Sequence, residues 1–315
     1  MRQIGQRPTI LRSPFLLIAF FSTALLLTPP GLQGAAHAAV QGDACPNPPG
    51  WTPENLDQRL AEHRQWATET LPPNPRDPRR LNLCHADLSG LDLSNVNLSD
   101  ANLNLTRLAG VNFQNADLNG VTLDGAYIRD SDFSRSRLRR ASFGNVEIEG
   151  SRFNAADLTR STFDGAKITG SDFTSARLGK SKFRRSELSA LDMRFGRLSQ
   201  ARFYETQFRE INFTGADLSR ALFVNARLEQ VDFYFADLSR ALLGRAKLVE
   251  VSFRDALLYL ANLKQIDIGE ERRDRLAEFC RNLTGARDWQ FAYRDPKFLC
   301  GATMLPGKYR SPGRN

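Results

Sequence analysis

From Leu83 to Ile268 every fifth residue is apolar, 38 positions without a polar one. Two residues earlier runs a second column of small or β-branched side chains, among them Ala86, Ala101, Ala116, Ala126, Ala156, Ser161, Ala166, Ser171 and Ala216. The other three places of each pentad are mainly polar. A period of five fits neither the 3.6 of an α-helix nor the 2.0 of a flat strand, so either would bury charge here. The chain must instead turn once per pentad. One large and one small group pointing inward at each turn describe a narrow coil filled by stacked side chains, whose neighbouring turns satisfy one another's backbone hydrogen bonds.

The number of pentads per coil is also legible. The large column alternates, with Phe133, Phe143, Phe153, Phe163, Phe173 and Phe183 interleaved with Leu138, Ile148, Leu158, Ile168 and Leu178, which demands an even number of walls. Residues recurring at multiples of 20 select four: Gly90, Gly110, Gly150 and Gly170, and Arg140, Arg160, Lys180, Arg220 and Arg240. At about 4.8 Å per strand step, nine to ten such coils give a rod of roughly 45 Å.

The pentads Ala116-Asp117-Leu118-Asn119-Gly120, Ala156-Asp157-Leu158-Thr159-Arg160 and Ala216-Asp217-Leu218-Ser219-Arg220 resemble the A(D/N)LXX motif of pentapeptide-repeat proteins, over 190 of the 315 residues. The resemblance implies an all-β fold, a right-handed quadrilateral β-helix with four pentads per coil, in agreement with the count above. Ser or Val often replaces Ala in the small column, which touches packing rather than topology.

The flanks read differently. Arg2, Arg7 and Arg12 precede the 13-residue apolar run Phe15 to Leu27, too short to span a bilayer, and Ala36-His37-Ala38 offers a cleavage site. Residues 1–38 are therefore expected to be a signal peptide that meets the membrane only during export, placing the protein in a periplasmic or secreted location. An uncleaved anchor is the alternative. Residues 39–80 form a linker and capping helix, 81–270 the β-helix, and 271–315 a helical cap and tail. The first helix is expected to start at Thr52-Pro53-Glu54, with Leu56, Leu60 and Ala67 as its apolar stripe, and to end before Pro72, Pro73, Pro75 and Pro78. Its Leu60, His63 and Trp66 resemble the leader helix of some family members. At the far end Leu276, Phe279, Cys280 and Leu283 follow helical spacing. Both caps answer one need, because a stack of coils exposes strand edges at its ends. Disulfide bonding requires Cα atoms within about 7 Å, so Cys45 and Cys84 near the start cannot reach Cys280 and Cys300 near the finish of a rod this long. The expected pairs are Cys45–Cys84 and Cys280–Cys300, with free thiols as the alternative.

The net charge is +8, and losing the three leader arginines leaves +5. Residues 81–270 hold 25 basic and 24 acidic side chains, so the rod is nearly neutral, yet its charge is sorted by wall. The walls centred on Leu158 and on Phe163 together hold 15 basic and 8 acidic residues, and the other two hold 10 and 16. The column Arg140, Arg160, Lys180, Arg220 and Arg240, broken by Gln200 and flanked by Arg184 and Arg185, suits an anion-binding track. The plainer reading is a solvated wall in which Asp157, Asp217 and Asp237 neutralise their neighbours. A second feature is outward apolar residues in the last coils, Leu222, Leu242, Leu257, Tyr259 and Leu260, with Tyr234 and Phe235 adjoining. Such a patch needs a cover, either the tail with Trp289, Phe291, Tyr293 and Phe298 or a second copy in a homodimer.

No enzyme is expected. Beyond the leader only His63 and His85 remain, and the sequence carries no nucleophile-His-acid pattern, metal-ligand spacing or phosphate loop, hence no cofactor or metal. Some family members are acidic rods that mimic DNA and bind gyrase. This chain resembles them poorly, being non-acidic, without a loop in its pentads and bearing a leader. Nucleic acid is not expected as a partner. The reading is a non-catalytic exported scaffold or interaction protein whose partner is a protein or an anionic envelope polymer.

Overall fold

The computed structural model describes residues 45, 52, 54–69, 77–269, 273–295, 298 and 300. The leader and Pro53, Pro72, Pro73 and Pro75 lie outside the described residues. The chain runs α1 (Leu56–Ala67), eight strands β1 (Arg107–Ala109), β2 (Tyr127–Arg129), β3 (Glu147–Glu149), β4 (Lys167–Thr169), β5 (Glu187–Asp192), β6 (Gln207–Asn212), β7 (Arg227–Asp232) and β8 (Lys247–Val249), then β9 (Asn262–Leu263), α2 (Arg273–Thr284), a short 3₁₀ turn (Trp289–Phe291) and β10 (Tyr293–Arg294).

β1 to β8 form one parallel sheet in sequence order, and each residue pairs with the one 20 positions on, as Ile148 with Ile168. The eight strands mark seven steps of one 20-residue coil. Single bridges on another wall carry the same spacing back to Asn82 and forward to Asn262. The molecule is thus a parallel β-solenoid with four pentads per coil, as the 20-residue recurrences imply.

The inward columns fill it. Leu158, Phe163 and Ile168 are wholly buried, as is the small column at Ala156, Ser161 and Ala166. Opposite walls carry the aromatic rings. Phe143, Phe163 and Phe183 stack at 4.6 Å, nearly parallel, and Phe133, Phe153 and Phe173 stack at 4.6–4.7 Å across the interior. The other two walls are lined by Leu and Ile, with Phe208 as the one aromatic among them.

The corners explain the polar places. Every residue two after an inward apolar one, from His85 to Gln265, has φ between about +49° and +74°, and only eight of these 37 are glycine. The left-handed conformation costs an L-residue about 1–2 kcal/mol. It is held here because the same residue's N–H bonds to the next coil, as Arg160 to the Gly179 carbonyl at 3.0 Å. Where Asp or Asn precedes a large residue, its carboxyl or amide oxygen is turned onto the N–H two residues on: Asp157 Oδ1 accepts from Thr159 N at 3.1 Å and Asp217 Oδ1 from Ser219 N at 3.0 Å. The motif's acidic position is therefore a turn former. Where one corner lacks its turn hydrogen bond, stacked serines replace it: Ser131 N donates to Ser151 Oγ and Ser151 N to Ser171 Oγ, each at 3.1 Å. In the following coils Leu191, Ile211 and Val231 take that position, and β5, β6 and β7 lengthen to six residues around the corner.

Both ends are covered. α1 starts at Leu56, later than the sequence suggests, because the Thr52 N–H and carbonyl both bond to Asn55 in a turn before it. Its buried stripe is Leu56, Leu60, His63 and Trp66, with Ala67 left at the margin because the buried spacing runs from 56 through 60 and 63 to 66. Leu81 N donates to His63 Nδ1 at 3.0 Å, which gives the first pentad the acceptor that the carbonyl three residues earlier supplies elsewhere, as Leu98 does for Ala101 N at 3.0 Å. Burial, with Arg80 and Arg59 close by, pulls the imidazole down to about 4. At the other end the tail adds strand pairing: Arg287 N donates to the Ala256 carbonyl at 2.7 Å, and β10 pairs in parallel with β9. Phe279, Leu283 and Phe298 are buried beneath it. The cysteines pair as Cys45–Cys84 and Cys280–Cys300, with Cα separations of 5.9 and 5.2 Å.

Candidate interaction surface

Because the interior is packed with apolar side chains, whatever this protein binds must meet the outside of the rod. Three of every five residues face outward, and their identity is set by wall. On the Leu158 wall the four coils 136–140, 156–160, 176–180 and 196–200 carry seven cations, Arg137, Arg139, Arg140, Arg160, Arg177, Lys180 and Arg197, against one carboxylate, Asp157. Successive rungs stand one strand step apart, about 4.8 Å.

The column read from the sequence is here: Arg140, Arg160 and Lys180 occupy three consecutive coils, and Arg220 and Arg240 two more beyond Gln200. All are exposed corner residues with φ near +60°. None of them is among the ion pairs of the described residues. The expected neutralisation by Asp157, Asp217 and Asp237 takes no direct form, since those carboxylates are engaged with their own turns, Asp157 also accepting from Thr159 Oγ1 at 2.5 Å. Farther along, Asp217 and Asp237 still offset Arg220 and Arg240 on the same pentads, so the excess is concentrated in the middle of the rod.

Two shallow grooves lie on this wall. One, of about 260 Å³, is lined by Arg139, Arg160 and Lys180 with Thr159, Gly179 and Ser199 as its small residues. The other, of about 550 Å³, lies at the preceding corner, among Arg135, Arg137, Arg177, Arg197, Asp157 and Phe195. Phe195 is 58 % exposed, and its ring covers Gly215 so closely that a Cβ there would come within 2.8 Å of it. The second row and the phenyl were missed in the sequence because Asp157 interrupts the arginines. Their spacing, Arg137, Arg177 and Arg197, is nevertheless a multiple of 20.

The apolar patch of the last coils is partly met by the tail. Leu257 bridges to Arg287, and the Tyr259 ring meets Phe291 edge-on at 5.8 Å. Leu222 and Leu260 are half-buried, while Leu242 and Tyr259 each remain 39 % exposed beside Phe291 and Tyr293. His85 is an exposed corner residue next to the Cys45–Cys84 bond. These three form the one group of metal-ligating residue types close enough to share an ion among the described residues, but disulfide sulfurs are not thiolate ligands.

A model described as a pentapeptide repeat region matches residues 79–153 and 156–233, and one described as pentapeptide repeats (8 copies) matches 136–174 and 236–269. The chain belongs to the pentapeptide-repeat family. Among solved structures, this pentapeptide-repeat protein is similar to HetL, a pentapeptide repeat protein involved in heterocyst differentiation regulation from the cyanobacterium Nostoc sp. strain PCC 7120, at 22% identity over 74% of this chain and 92% of that one, with a TM-score of 0.39. QnrB1, a plasmid-mediated fluoroquinolone resistance protein, is 17% identical over 67% and 94%, with a TM-score of 0.30. A pentapeptide repeat protein from the Arabidopsis thaliana thylakoid lumen is 20% identical over 43% and 75%, with a TM-score of 0.22. No curated protein matches the chain. Proteins of this family are generally structural or binding proteins.

Proposed function

We propose that this pentapeptide-repeat protein is an exported, non-catalytic scaffold that presents a rigid, charge-sorted rod to another component of the cell envelope, with the Leu158 wall as its contact surface. The observation that carries the reading is the concentration of seven cations against one carboxylate on four coils of a rod that is near neutral as a whole. A filled interior makes the rod stiff, so those charges are held in fixed register, the condition for electrostatic recognition without a pocket. Export is supported by the Arg-rich start and short apolar run, and by two disulfide pairs, which persist in oxidising compartments. No helix among the described residues is long and apolar enough to cross a membrane.

A second reading, that the partner is an anionic envelope polymer rather than a protein, is favoured by the lack of ion-pair partners for Arg140, Arg160 and Lys180 among the described residues. The test is retention of the purified mature protein on washed envelopes at low and high salt. Salt-sensitive retention that disappears when Arg140, Arg160 and Arg220 become Glu supports the contact surface. Retention unaffected by the triple change refutes it.

A further inference from the structure

The larger groove of the Leu158 wall is more than a patch of charge. Along its length Arg137, Asp157, Arg177 and Arg197 follow one another at single-coil steps, paired as strand neighbours. Ala155 and Ser175 leave it open, and Arg135 and Phe195 stand at its two ends. Arg137 is paired with Asp117 at 3.2 Å, so the open guanidinium groups are those of Arg177 and Arg197. Three chemistries are thus held together: guanidinium groups for anions, one carboxylate with an oxygen left over, and a bare aromatic face.

We propose that this groove binds an acidic polysaccharide, a chain of hexuronate-type sugars lying along the rod axis. The inference rests on the basic-surface reading above and names its ligand class. Guanidinium groups take carboxylates in bidentate fashion. The coil step of about 4.8 Å is close to the length one hexopyranose adds to an extended glycan, so successive rungs meet successive sugars. Competing polyanions fit the step less well: duplex DNA places phosphates 3.4 Å apart along each strand, and an extended acidic peptide returns to the same side every 6.6 Å or so.

Asp157 makes the distinction sharper. Its Oδ1 is engaged by Thr159, which leaves Oδ2 as the acceptor this lining residue can offer. A polyanion without hydroxyl donors is repelled there, whereas a sugar donates a hydroxyl and turns the same carboxylate into a contact. Phe195 adds the face on which the C–H side of a pyranose ring stacks. The phenyl occupies a corner position filled elsewhere by Asn115 and Asn145, which suit the left-handed conformation better, so its exposed ring is not needed for the turn.

The experiment is calorimetric titration of the mature protein, disulfides intact, with oligogalacturonate, its methyl ester, polyglutamate and duplex DNA at fixed moderate salt. The variants are Phe195→Asn, Asp157→Asn and Arg177→Glu/Arg197→Glu, with Lys247→Glu on another wall as control. Asn keeps the turn at both substituted sites, as Asn97 and Asn115 show, and a melting curve for each variant checks the fold. The expected result is binding of the oligogalacturonate alone, weakened at least about tenfold by each groove variant and unchanged by Lys247→Glu. Binding of polyglutamate or DNA at least as tight, with Asp157→Asn strengthening it and Phe195→Asn without effect, overturns the glycan inference while the basic contact surface stands. No binding of any polyanion overturns both the inference and the anionic-polymer reading beneath it.

Discussion

Replacing Phe163 by Ala tests whether the stacked interior is what holds the rod together. The ring is wholly buried and lies between Phe143 and Phe183 at 4.6 Å on each side. Neither neighbour can slide into the vacated space. Phe183 is itself stacked on Phe203 at 5.1 Å, and the coils are pinned at fixed spacing by bonds such as Phe163 N to the Lys182 carbonyl at 2.7 Å. A site that cannot collapse keeps its cavity, which places the cost in the upper part of the roughly 3–5 kcal/mol range for Phe→Ala. For a chain of this size about 4 kcal/mol lowers the melting temperature by roughly 8–16 °C. Phe163→Leu should cost much less, since Leu103 and Leu123 occupy the same wall in earlier coils. Urea denaturation followed by circular dichroism measures both. An Ala variant within about 1 kcal/mol of the parent, or a Leu variant as damaged as Ala, would refute a rigid stacked core.

Three further outcomes follow from the ends and corners. His63 accepts the Leu81 N–H only when neutral, and its folded value of about 4 lies below the ordinary 6.5, so the unfolded chain binds the extra proton first. Its effect on stability is nil above about pH 6.5 and grows unfavourable as pH falls toward 4. The difference in melting temperature between the parent and His63→Gln should therefore change in favour of Gln over that interval and stay constant above it. Removing either disulfide by paired Cys→Ser changes should cost about 2–4 kcal/mol, with Cys45–Cys84 the larger by roughly 0.6 kcal/mol because it closes 39 residues rather than 20. Non-reducing peptide mapping checks the pairing, and thermal melts check the order. Ser151→Ala removes the acceptor of the Ser131 N–H inside the rod and should destabilise by about 1–3 kcal/mol, whereas Ser151→Thr, which keeps the hydroxyl, should cost less.

The interior was readable in the sequence because packing enforces it at every turn: Phe163 and Ala166 can occupy only one side of the coil wall. The corners were not. Arg160, Phe195 and Leu105 all adopt the left-handed conformation that glycine favours, and nothing local announces it, since the bonds that hold these residues come from a coil 20 residues away. For the same reason the acidic motif position reads as surface charge until Asp157 is seen turned onto Thr159. The column Arg140, Arg160 and Lys180 stood out as an uninterrupted recurrence, while the parallel row Arg137, Arg177 and Arg197 was hidden by one aspartate. The first helix was mispositioned because Thr52 and Asn55 form a turn that competes with a start at Pro53, and its stripe follows His63 and Trp66, which hydropathy alone undervalues.

A deletion of 20 residues, 161–180, set against one of 19, 161–179, tests the solenoid most directly. The first removes one whole coil and joins Arg160 to Ser181, so every remaining inward side chain keeps its wall; the second shifts all that follow by one place. Cooperative melting within a few degrees of the parent for the 20-residue deletion, with loss of folding for the 19-residue one, is the expected result. Equal stability of the two, or collapse of the longer deletion alone, would contradict a tube built on a 20-residue turn.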